Sequence, residues 1–69
     1  MFAVKYYYDF GQRCDYKIFE TVGDALKWWT GQKRLKEQAS FYDRLYVLPP
    51  GLKDPIKWCK DNIKEVANA

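Results

Sequence analysis

The sequence predicts an α+β domain in the order ββαβα: a two-layer arrangement with a three-stranded, mainly antiparallel sheet and two helices packed on one face. Three observations carry this reading. Residues 2–10, FAVKYYYDF, alternate with a period of two, the repeat of a pleated strand. Behind a capping signal at Thr21, apolar residues recur at helical spacing, and Asp54-Pro55 opens a second such run. Sixty-nine residues form one small globular domain over 1–69, too short for a second core.

In the first strand Phe2, Val4, Tyr6, Tyr8 and Phe10 fall on one side, and Ala3, Lys5, Tyr7 and Asp9 on the other. The segment GQR, with Gly11, supplies a turn, and CDYKIFE from Cys14 to Glu20 returns as the second strand of a hairpin. Thr21 followed by Asp24 resembles a capping box in which Asp replaces Glu. Val22, Ala25, Leu26 and Trp29 then stand at i, i+3, i+4 and i+7, a single helical face. Gly31 is one stopping point for this helix; Leu35 extends the stripe to Gln38 as the alternative. The third strand is FYDRLYVL, Phe41 to Leu48, closed by Pro49-Pro50-Gly51. Asp54 caps the second helix, and Pro55 occupies the first helical position, where a missing N–H loses no partner. Ile56, Cys59, Ile63, Val66 and Ala67 share its inner face. The expected strand order is 2-1-3, with the third strand antiparallel to the first; 1-2-3 is the alternative.

Aromatic residues make up 19% of the chain, and they give so small a core a large apolar area per residue. Twelve basic against nine acidic residues leave a net charge of +3, which admits an anionic partner without requiring one. Cys14 and Cys59 are the only cysteines, fewer than a small secreted scaffold uses. With Met1 followed at once by a strand pattern and no signal peptide or apolar span in view, a cytoplasmic protein with reduced thiols and no membrane association is expected.

Trp28 and Trp29 are adjacent, and helical neighbours point 100° apart. Trp29 lies on the Val22/Ala25/Leu26 stripe and belongs in the core. Trp28 lies roughly 120° from the centre of that stripe, as Trp58 does from the stripe of the second helix. Each either patches the edge of a thin core or anchors a partner, a role in which tryptophan is enriched. If Val4, Tyr6, Tyr8, Ile18, Leu45 and Val47 face the helices, then Lys5, Tyr7, Lys17, Phe19, Tyr42, Arg44 and Tyr46 face outward. Rings interleaved with cations are one solution for single-stranded nucleic acid, and they are equally what cross-strand pairing produces. Lys33, Arg34 and Lys36 form a short basic run in or just after the first helix. With Lys5 and Lys17 they are the candidate phosphate contacts.

The chain has no histidine, the commonest general base and metal ligand. Ser40 is the single serine, and the cysteines lack zinc-site spacing. The glycines Gly11, Gly23, Gly31 and Gly51 stand alone, with no phosphate-binding loop among them. No enzyme, metal or cofactor is expected. The sequence therefore reads as a small non-catalytic protein that occupies a macromolecular partner, most readily a protein, as an inhibitor or adaptor of the kind made by viruses and mobile elements. Its expected anchors are Trp28, Trp58, Tyr7, Tyr42 and Tyr46, with Arg44 setting orientation. A single-stranded RNA or DNA binder and a self-associating structural subunit are the two alternatives.

Overall fold

The computed structural model describes residues 1–32 and 40–63. Strands β1 (Phe2–Tyr8) and β2 (Arg13–Phe19) are followed by helix α1 (Val22–Thr30). A single 3-10 turn (Phe41–Asp43), strand β3 (Leu45–Val47) and helix α2 (Pro55–Asn62) complete the order. The three strands form one antiparallel sheet in the order β2-β1-β3. Class, element order and strand order are those expected from the sequence. β3 is shorter than expected because Phe41–Asp43 leaves the sheet as a 3-10 turn, which carries the buried Phe41 ring to within 5.9 Å of Trp29.

The two helices do not share a face, contrary to the two-layer expectation. Ala3 and Val4 are consecutive and both fully buried, and consecutive strand residues point to opposite sides. Val4 packs with Ala25, Trp29 and Phe41 beneath α1. Ala3 packs with Tyr16, Leu48 and Cys59 beneath α2. The sheet therefore lies between the helices, with a small core on each side. The physical reason is in β1 itself: its Ala3–Val4–Lys5 stretch is buried on both sides, and one helical layer would leave Ala3, Tyr16 and Ile18 in water. The chain changes sides after β3, where Leu48 is buried and Gly51 takes a left-handed φ of 77°.

β1 and β2 pair so that Phe2 lies opposite Phe19, Ala3 opposite Ile18, Val4 opposite Lys17 and Tyr6 opposite Asp15. The connecting loop is Asp9–Gln12, closed by hydrogen bonds from the Gly11 N–H to the Tyr8 carbonyl and from the Gln12 N–H to the Asp9 carbonyl, each 3.1 Å. This register places Ile18 on the α2 side and Lys17 and Phe19 on the α1 side, the reverse of the expected assignment for β2.

The caps form as read. Thr21 Oγ1 accepts from the Asp24 N–H at 3.1 Å, and Asp54 Oδ1 accepts from the Lys57 N–H at 3.1 Å. α1 ends on Gly31, whose N–H reaches the carbonyls of Trp28 and Trp29 while its φ stays right-handed. Leu26 and Ile56, expected on the inner stripes, are exposed at the helix flanks, and Ile63 is half-buried. The alternative extension to Gln38 and the inner-face residues Val66 and Ala67 lie outside the described residues.

Candidate binding surface

α1 has nine residues, about 13 Å of helix, against seven residues of β1, about 23 Å of strand. The helix therefore covers Val4 and leaves the hairpin end of the same face open. Along that open end the aromatic rings form a ledge. Trp28 leaves the flank of α1 and meets Tyr6 edge-on at 5.5 Å and Phe19 at 5.8 Å. Tyr6 continues to Tyr8 at 6.1 Å. Exposure rises outward along this row: Trp28 and Tyr6 are half-buried, Tyr8 is 45% exposed, and Phe10 in the loop beyond it is 95% exposed.

The polar groups of the ledge are as distinctive as its rings. Lys17 Nζ lies 5.8 Å over the Trp28 indole, a cation on a ring face. Arg13 Nε lies 3.8 Å from Asp9 Oδ2, an exposed pair of small energetic weight. Asp15 Oδ1 accepts from the Tyr16 N–H at 2.8 Å. Burial raises the Tyr6 phenol pKa above its ordinary value, and the Asp15 carboxylate and the Tyr8 phenol push it the same way. Among the described residues, the Tyr6 and Tyr8 hydroxyls and the Trp28 indole N–H have no hydrogen-bond partner, and none is a buried orphan.

The other face is organised around Tyr7. Arg44 Cζ lies 4.5 Å and Lys5 Nζ 5.4 Å from its ring centroid. Lys5 is only 3% exposed, and its N–H donates to the Arg44 carbonyl at 2.9 Å. Beside them Tyr16, buried against α2, also has its phenol pKa raised, first by burial.

The expected outward patch thus divides. Lys17 and Phe19 join Trp28 on the α1 side, whereas Lys5, Tyr7, Arg44 and Tyr46 belong to the side that α2 covers. Tyr42 stands off the sheet on the 3-10 turn, exposed, with its ring 5.2 Å from Phe41. Trp58 is half-buried and packs against the α2 core. Trp28 likewise packs against the α1 core. Lys33, Arg34 and Lys36 lie outside the described residues. The sequence reading passed over Tyr6, Tyr8 and Phe10 as strand residues of the helix-facing side. The signal for Phe10 was present: Asp9 and Gly11 are turn formers, which leaves the phenylalanine between them in a loop.

Cys14 and Cys59 are unbridged thiols, the first half-buried and the second fully buried. Among the described residues no three His, Cys, Asp or Glu side chains gather as metal ligands, and no helix is long and apolar enough to cross a membrane. The chain matches no protein-family model, no curated protein and no solved structure.

Proposed function

We propose that this is a non-catalytic binding protein that occupies a protein partner through the ledge of Trp28, Tyr6 and Tyr8 and the Phe10 loop, as an inhibitor or adaptor. Phe10 is the observation that carries the reading. Its side chain is 95% exposed and its φ is 57°, beside Asp9 at 54°. A bulky residue in the left-handed region costs roughly 1–2 kcal/mol, and exposure returns nothing in packing. A contact made outside the chain would offset both penalties, which supports the ledge and its loop as the binding surface. Two unbridged thiols fit a reducing compartment such as the cytoplasm.

The charges favour protein over nucleic acid. Base stacking needs an open ring face, but Tyr7 already carries Arg44 and Lys5, and Trp28 carries Lys17. Around the more open rings, Asp9 and Asp15 offset Arg13 and Lys17, so among the described residues the charges beside these rings form no positive field for a phosphate backbone. The test is affinity capture from native lysate after nuclease treatment, comparing the wild-type chain with a Tyr8→Ser, Phe10→Ser double variant. The expected outcome is a protein band retained by the wild type and lost by the variant, with equal thermal melts. Identical capture by both would reject the ledge, and nucleic acid recovered without nuclease would reject the partner class.

A further inference from the structure

We infer that the ledge of Tyr8, Tyr6 and Trp28 docks a proline-rich peptide in the polyproline II conformation, with a Lys or Arg of the peptide set beside Asp15. This rests on the binding-protein reading above and names the partner of that site. Three features converge on this occupant.

The first is the supply of donors. A polyproline II segment makes no internal hydrogen bonds, so its carbonyls all look outward, and its prolines present no N–H. A surface that recognises it must offer ring edges and N–H or O–H donors without requiring donors in return. The ledge does this: the Trp28 indole N–H and the Tyr6 and Tyr8 hydroxyls have no partner among the described residues. A partner adding a β-strand would seek a sheet edge instead, and these rings stand on a sheet face.

The second is spacing. The ring steps are 6.1 Å from Tyr8 to Tyr6 and 5.5 Å from Tyr6 to Trp28, with interplanar angles of 39° and 63°. At these separations the neighbouring rings touch edge to face, so the row presents a continuous corrugated aromatic surface. One turn of polyproline II advances about 9 Å over three residues, so a single turn lies along the row of three rings with its prolines resting on their exposed edges. A stiff ligand loses little entropy on a small surface, which suits a ledge this short.

The third is charge. Asp9 is engaged by Arg13 at 3.8 Å, and Lys17 lies over Trp28. Asp15, opposite Tyr6 in the β1–β2 register, accepts a backbone N–H and has no ion-pair partner among the described residues. Its carboxylate is the charge on the ledge that a cationic peptide side chain complements.

The test uses the isotope-labelled full chain and a capped oligoproline probe bearing one arginine, followed by NMR. Two controls are a Gly/Ser peptide with the same arginine and an oligothymidylate. Saturable shifts are expected at the Trp28 indole N–H and at Tyr6 and Tyr8, but not at Trp58. Tyr8→Ala should weaken binding about tenfold or more with an unchanged melt. Asp15→Asn should weaken the arginine-bearing probe but not plain oligoproline. The inference is overturned if the proline probe produces no shift, if the Gly/Ser peptide binds equally, or if oligothymidylate moves the same resonances more tightly. In that case the capture comparison of wild type with Tyr8→Ser, Phe10→Ser separates the two failures. A band still lost by the variant leaves the ledge as the site with a different occupant, whereas unchanged capture removes the binding-protein reading as well.

Discussion

Trp28 and Trp29 share a peptide bond but have separate roles. Trp29 is 4% exposed and closes the core between Val4 and Phe41, whereas Trp28 is half-buried at the rim with Tyr6, Phe19 and Lys17 around it. The difference in burial was legible in the sequence, because the helical period alone puts Trp29 on the stripe and Trp28 off it. The neighbours of Trp28 were not legible, because they depend on the hairpin register, and a one-residue shift turns every side chain of β2 over. The two positions should respond differently to truncation. Trp29→Ala leaves a cavity and is expected to cost about 3–5 kcal/mol. Trp28→Ala gives up two ring pairs worth about 0.5–1.5 kcal/mol each and is expected to leave the chain folded. Urea denaturation of both variants measures this, and equal losses would show that the rim is as essential as the core.

The elements were read most accurately where local chemistry decides them. Thr21 and Asp54 cap their helices through hydrogen bonds of 3.1 Å, and each was recognisable from residue type and spacing. Removing the second cap by Asp54→Ala should cost about 1 kcal/mol of stability, seen as a lowered urea midpoint with an unchanged fold. The faces of β2 were harder to read, because Tyr16 and Ile18 on one side and Phe19 on the other are all apolar and alternation marks only strands with one wet face. The hairpin loop was also misplaced, since Phe10 continues the alternation of β1 by pattern yet turns by conformation. That conformation sets up a test in which stability and binding move in opposite directions. Phe10→Gly relieves roughly 1–2 kcal/mol of left-handed strain and adds about 0.5–1 kcal/mol of chain entropy lost on folding. A net gain between zero and about 1.5 kcal/mol is expected in urea melts, together with weaker retention of the protein partner. A stabilised variant that binds as well as wild type would mean that Phe10 does not contact the partner.

At the scale of the molecule, composition and element order indicated the class and favoured the observed strand order over 1-2-3, but the two-layer arrangement expected from them gave way to helices on both faces. Two helices can cover a three-stranded sheet from one side or from both, and the choice rests on whether Ala3, Tyr16 and Ile18 need cover. The two-sided solution has a consequence for pH. Tyr16 and Cys59 lie in the α2 core and Tyr6 at the edge of the α1 core, and burial is the first cause of a raised pKa in all three. Each group holds its proton more tightly folded than unfolded, so its stabilising contribution is complete below the unfolded pKa and lost as pH rises through the folded one. The ordinary values are 9.0 for the thiol and 10.0 for the phenols. The urea midpoint is therefore expected to hold level from neutral pH and then to fall, first with the thiol and then with the phenols. Cys59→Ala should remove the earliest part of that fall. Tyr16→Phe should flatten the later part, and its neutral-pH cost should be small because the hydroxyl reaches the Ile63 carbonyl only at 3.5 Å. A midpoint that rises with alkali, or two variants that fall as steeply as wild type, would place the alkaline transition outside the two cores.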